Sequence, residues 1–376
     1  MNTYICRIRR KLYKNNTMEY RNLKFDFDDI LIQPAVQSSV GSRKTVSITD
    51  GNGMLPIFTA PMDTVTDLAH RNIFTEHHIY PVVPRTQTRQ FTLQDCHSVK
   101  GWFALSLDQF ERFFSSGPPW DGDEKLCICI DIANGHMKRV RETVDKAKHL
   151  YRDRLEIMVG NVANPGTFFE LSAAGADYVR IGVGNGAGCS TSVHTGIGYP
   201  LASLIHDIHT AKKDHPGSYA RIVADGGIRK YADIIKALAL GADYVMCGGL
   251  FNKALESAGN TYAANKKFEG YTVPGDQVDQ YSEEVATAFR MGSLFYKKFR
   301  GMSTKEVQAH LGSELRSSEG VTRMVQVEYT VEGWVENFID YLSSAMSYTD
   351  SADLQSFIGS PEWNLITQNS LNRFNK

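Results

Sequence analysis

A single cysteine stands inside a glycine-rich stretch, Gly182-Val183-Gly184-Asn185-Gly186-Ala187-Gly188-Cys189-Ser190-Thr191-Ser192. The stretch directly follows an apolar run, so it reads as the loop at the end of a strand. Its glycines let the backbone turn sharply and expose its amides and carbonyls. A thiolate on such a loop is open to a ligand and can attack an electrophilic carbon once its pKa is lowered. The same residues also suit a tight turn with an incidental thiol, and spacing alone does not separate the two. His194 is a candidate base for the thiol, although histidines without that role are common on loops.

Two glycine pairs, Gly226–Gly227 and Gly248–Gly249, close two consecutive apolar runs. Paired glycines at strand ends suit a phosphate site, where backbone N–H groups and a helix start face the anion. Asp225, just before the first pair, is placed to accept hydrogen bonds from vicinal sugar hydroxyls; its alternative is a turn or helix cap. No glycine set sits between a first strand and helix with an acidic residue about 20 positions on, which disfavours a dinucleotide-binding Rossmann unit.

Eight short apolar runs must position these residues. They begin at Leu55, Ile79, Gly101, Leu126, Leu155, Asp177, Arg221 and Asp243. Continuous runs of this length suit strands buried on both faces. Amphipathic stretches lie between them, and two, GTFFELSAAGA and KYADIIKALALGA, end in Gly-Ala-Asp before the next run, as a glycine-capped helix would. Strand–helix alternation at this spacing implies parallel βαβ units, and eight of them imply an α/β fold of the closed (β/α)₈ TIM-barrel type. Catalysis in such barrels sits at the C-terminal strand ends, which here read APMD, DIANG, GNV, the Cys189 loop, DGG and GG. The barrel domain is expected over 19–350, with active-site loops at 182–199 and 250–320. The more polar chain after 250 is expected to supply loops over the mouth and a closing helix near Trp334–Met346. Residues 1–18 read as a basic tail, with a translation start at Met18 as one reading, and 351–376 as a C-terminal tail.

The chain has 376 residues, 42% hydrophobic and 22% charged, with a formal net charge of −1. That balance gives no global field to attract nucleic acid or an anionic membrane. Six scattered cysteines make a poor disulfide framework and suit a reducing, cytoplasmic setting. Cys127 and Cys129 lie in an apolar run without a second ligand pair, which reads as a buried strand rather than a metal site.

With these motifs in order, the chain resembles the IMP dehydrogenase/GMP reductase family from Phe25–Ala35 to Tyr348. The resemblance rests on APMDTVTD, GNV, G-x-G-x-x-C-x-T, TGIGYP, ADGGI, GADYVMCGG, RGMS and SEG. It implies a (β/α)₈ barrel. Three features favour the reductase branch: DIANG after its apolar run; the roughly 40 residues between APMD and GWFAL, too few for an inserted CBS module; and the 12 residues between Ser303 and Arg316, too few for a dehydrogenase flap. The implied activity is reductive deamination of GMP to IMP and ammonia, with NADPH, through a Cys189 thioimidate assisted by Thr191 and Glu319. The resemblance further implies substrate contacts from Met62, Asp225, Gly227, Gly248, Gly249, Met302, Ser303 and Arg316. It implies cofactor contacts from Asp131, Ala133, Asn134 and Gly182. It implies a monovalent cation, K⁺, on the backbone carbonyls of Gly184, Gly186 and Cys189, and a homotetramer.

Departures accompany the likeness. The family loop reads G-P-G-S-x-C-T-T-R, so Asn185, Ala187, Ser190 and Ser192 differ from it. Ala187 lacks a serine hydroxyl that contacts phosphate, and Phe299 stands where dehydrogenases have a phosphate-binding tyrosine; Arg300 or Lys298 are candidates to compensate. APMDTVTD is closer to the dehydrogenase wording. A dehydrogenase lacking the CBS module, converting IMP to XMP with NAD, and a non-catalytic nucleotide-binding paralogue are therefore the alternatives.

Overall fold

Each of the eight apolar runs forms a strand: β1 (Ile57–Thr59), β2 (Val82–Val83), β3 (Trp102–Leu105), β4 (Leu126–Asp131), β5 (Leu155–Val162), β6 (Tyr178–Ile181), β7 (Arg221–Asp225) and β8 (Tyr244–Cys247). The computed structural model describes residues 23–91, 95, 101–114, 125–186, 188–264, 274–302, 304–311 and 320–374. The strands are parallel, each of β2–β7 pairing with the next and β8 with β1. A parallel bridge between Phe58 and Tyr80 joins β1 to the start of β2 and closes the ring. The result is the expected (β/α)₈ barrel.

The two faces of each strand explain the unbroken apolar runs. Phe58, Trp102, Cys129, Met158, Tyr178, Val223 and Tyr244 pack together in one cluster inside the barrel. Their neighbours Ile57, Phe103, Ile128, Ile157, Val179, Ile222 and Val245 pack outward in the cluster shared with the helices. Large rings fill the N-terminal end, where the hydroxyls of Tyr80 and Tyr244 both donate to Asp50 Oδ2 at 2.6 and 2.9 Å. That end is plugged, so a ligand has room only at the opposite end.

The repeated Gly-Ala-Asp has a physical reason. Helices Pro165–Ala173 and Tyr231–Ala239 stop just before Gly175 and Gly241, whose φ values of +97° and +112° suit glycine. The aspartates that follow each accept a backbone N–H of the preceding strand, Asp177 from Ile157 and Asp243 from Ile222, both at 2.7 Å. Each repeat thus turns the chain and pins the next strand in register.

Beyond β8 the structure differs from the expected loops. Thr261–Ala264, Pro274–Val278, Phe295–Arg300 and Thr322–Gln326 form a four-stranded antiparallel sheet. It has its own small core of Leu255, Phe295 and Val327, against which Val285 and Phe289 of helix Glu283–Arg290 pack. The closing helix runs Val331–Tyr348 and buries Trp334, Phe338, Leu342 and Met346. The stretch read as a C-terminal tail is folded: Trp363–Leu365 pairs antiparallel with Ile30–Ile32, and Leu354, Phe357 and Leu371 are buried. Residues 1–22 lie outside the described residues.

Candidate active site

The barrel mouth opens into a cavity of about 840 Å³, a size suited to a small-molecule ligand. Strand ends and their loops line it. They bring Met62, Asp131, Ala133, Gly182, Gly184, Gly186, Cys189, Thr191, Asp225, Gly227, Gly248, Gly249 and Met302 to one space. Asn134 is not among the lining residues; it is exposed, and its Oδ1 accepts the His136 N–H in a turn. Ser303, Arg316 and Glu319 lie outside the described residues, as does Ala187.

Cys189 differs in setting from the other three described cysteines. Cys127 and Cys129 sit on β4, where burial pushes both thiols up to about 12. Burial also pushes the Cys247 thiol up. Such thiols are poor nucleophiles at neutral pH. Cys189 is only half-buried, at the mouth, with Sγ 3.2 Å from Thr191 Oγ1. Its N–H donates to Gly186 O at 2.9 Å, and its backbone forms an antiparallel bridge with Gly320, the neighbour of Glu319. His194 is exposed, and among the described residues its ring makes no hydrogen bond to Cys189, so nothing supports it as the base.

The glycines are required by close approaches. Gly182 has φ +127°, and a Cβ there would lie 2.1 Å from Asp225 O. A Cβ on Gly188 would press on the Phe299 ring at 3.1 Å. Phe299 is buried, with the Arg323 guanidinium 5.2 Å from its ring centre. Both cations considered as phosphate partners in place of the lost hydroxyls are already engaged by carboxylates. Arg300 pairs with Asp63 at 2.5 Å and Glu306 at 2.7 Å, and Lys298 pairs with Glu306 at 3.0 Å.

The main electrostatic feature was missed from sequence. Arg180, on β6, is 5% exposed and spans two carboxylates: Nη1 to Asp131 Oδ1 at 2.9 Å and Nη2 to Asp225 Oδ2 at 2.8 Å. Burial alone would lower its pKa; the flanking carboxylates reverse this and hold the guanidinium charged. Asn161, from GNV, donates to the same Asp225 oxygen at 2.8 Å and to Gly182 O at 2.9 Å. Asp225 lines the cavity, and its Oδ1 has no hydrogen-bond partner among the described residues. Arg85 stands 3.2 Å from Asp131 Oδ2. The available signal was one arginine inside an otherwise apolar strand, DYVRIGVG.

The DIANG loop is fixed from the side. His136 Nε2 accepts the Ala163 N–H at 3.0 Å while Nδ1 lies 3.0 Å from Thr167 Oγ1, so the neutral ring with a proton on Nδ1 satisfies both contacts. Burial lowers the His136 pKa and favours that neutral form. Among the described residues no group of three or more His, Cys, Asp or Glu side chains could hold a metal, and no helix is long and apolar enough to cross a membrane.

Comparisons with known proteins agree with this geometry. A family model described as the IMP dehydrogenase / GMP reductase domain matches residues 123–374. The chain is 30% identical over 356 residues to GMP reductase 1 of Mus musculus, covering 89% of this chain and 92% of the mouse protein. It is 30% identical over 361 residues to GMP reductase 1 of Homo sapiens, with the same coverage. It is 29% identical over 354 residues to GMP reductase of Vibrio cholerae, again over 89% and 92%. On the barrel, the cysteine loop and these matches together, the chain belongs to the IMP dehydrogenase/GMP reductase family.

Proposed function

We propose that this chain is a GMP reductase that converts GMP to IMP and ammonia at the expense of NADPH. The observation that carries the reading is Cys189, the one described cysteine on a cavity-facing loop, beside Thr191 Oγ1 in a cavity that Asp225 also lines. Asp225 receives the ribose hydroxyls on Oδ1 while Arg180 and Asn161 hold its other oxygen. Gly227, Gly248 and Gly249 present backbone to the phosphate, and Met62 and Met302 face the base. So placed, the purine C2 lies against the thiol.

The chemistry then follows from the residues. Cys189 Sγ bonds to C2 of guanine, and the bond from C2 to the exocyclic nitrogen breaks. That nitrogen leaves as ammonia, its protons handled by Thr191 and Glu319. A thioimidate to Cys189 remains. When bound, the reduced nicotinamide supplies the hydride that C2 receives. The C–S bond then breaks and the thiolate returns to its starting state. Asp131, Ala133 and Gly182, which line the same cavity, would hold the dinucleotide. The polar lining fits such a ligand, because the buried Arg180 Nε has no hydrogen-bond partner among the described residues.

Cys189→Ala tests this directly. Turnover should fall by about three orders of magnitude or more, as expected for loss of a nucleophile. GMP should still raise the melting temperature of the variant, because the ribose and phosphate contacts are intact. Activity retained by the alanine variant would remove the covalent mechanism.

A further inference from the structure

The family resemblance brings with it a monovalent cation on the carbonyls of Gly184, Gly186 and Cys189. The residues of this chain do not fit that role well. Gly184 O accepts the Ser192 hydroxyl at 2.9 Å. Gly186 O accepts the Cys189 N–H at 2.9 Å. A carbonyl has two lone pairs, so one such bond does not fill it. Each donor nonetheless takes one lone pair and part of the charge that a cation on the same oxygens would draw on, and the hydroxyl of Ser192 already ties the turn together. The Ser192 side chain is also packed tightly on the turn, since a Cβ at Gly184 would meet Ser192 Cβ at 2.6 Å and Oγ at 2.8 Å. Gly184 itself has φ +82°.

We infer that the Ser192 hydroxyl takes over the structural work of the monovalent cation, so that the Cys189 loop of this enzyme is organised without K⁺. Ser192 stands where the family pattern has arginine, so the substitution changes both size and hydrogen bonding. It joins the loop's first turn to the helix Thr191–Thr195 that follows the cysteine. A second tie runs in parallel: Asn185, where the family pattern has proline, donates from Nδ2 to Tyr199 O at 3.1 Å. Tyr199 is in turn held through its hydroxyl to Asp207, which also binds Lys24 at 2.7 Å. Asn185 and Ser192, two of the departures from the family loop, thus supply side-chain bonds to the entry and exit of one turn. Ser192 acts through the loop on Cys189 and is a positioning residue.

The inference rests on the reductase reading only where activity is measured, so the experiment has two readouts. Melting temperature and GMP-dependent NADPH oxidation are recorded in KCl, NaCl and choline chloride at equal ionic strength, for the full chain and for Ser192→Ala. The wild type should show the same melting temperature in KCl as in choline chloride, and rates within about twofold. Ser192→Ala should lose about tenfold in kcat, the equivalent of one hydrogen bond that holds the Cys189 loop in place, with little change in the KM for NADPH. Ser192→Thr, which keeps the hydroxyl, should restore most of that loss. A K⁺-specific rise in the wild-type melting temperature, or a rate that collapses in choline chloride, would overturn the inference. If turnover is absent in every salt, the reductase reading has failed, and the melting-temperature comparison still decides the question of the cation.

Discussion

Arg180 is the residue on which the two halves of the site depend. It holds Asp131, assigned to the cofactor, and Asp225, assigned to the ribose, through one buried guanidinium. Removing one member of a buried ion cluster leaves the others uncompensated, which is costlier than the pairing itself is favourable. Arg180→Met should therefore destabilise the protein by about 3–5 kcal/mol, measured by urea unfolding. At neutral pH it should also weaken GMP binding more than Arg180→Lys does, because lysine keeps the charge but not the fork that reaches both carboxylates. Equal stability of the methionine variant and the wild type would show that the cluster is not what positions Asp225. The sequence hid this because Asp131 and Asp225 lie 49 and 45 positions from Arg180, and a lone arginine in an apolar run names no partner. Cys189, Asp225 and the glycine pairs were legible because glycine-rich strand ends are local signals.

Between elements, the joint of helix Leu201–Asp214 with the segment around Gly359 carries a titratable group. His209 lies against Gly241 and Gly359, and its Nε2 is buried with no hydrogen-bond partner among the described residues. Burial, then the nearby Lys213 and Lys212, lower its pKa to about 4. The unfolded chain binds this proton near pH 6.5 and the folded one only near 4. Stability from the neutral ring is therefore complete above about pH 6.5 and is lost as pH falls from there toward about 4. Allowing for the ring's partial exposure, the loss is about 2 kcal/mol. His209→Gln should flatten unfolding free energy against pH in that window, relative to wild type; parallel curves would contradict the assignment. The eight barrel strands were readable because burial on both faces writes continuous apolar runs. The antiparallel sheet was not: Phe295–Arg300 reads FYKKFR, without the alternation of a half-buried strand, and Lys297, though fully buried, looks polar in sequence. Nor was the pairing of Trp363–Leu365 with Ile30–Ile32, since each strand is three residues long and its partner lies at the other end of the chain.

At the scale of the whole molecule, the barrel plugs one end with tyrosines on Asp50 and gathers the site at the other. The likeness to the family extends over most of the chain, while the cysteine loop and Phe299 depart from the family pattern. The family and the barrel follow from many residues agreeing at once, whereas the direction of the redox reaction rests on few. The most direct test is absorbance of reduced nicotinamide in two mixtures of the purified protein, one with GMP and NADPH, the other with IMP and NAD⁺. A GMP reductase gives a fall in the first, with ammonia released in equal amount, and no rise in the second. A rise in the second with silence in the first would contradict that reading and make the chain a dehydrogenase.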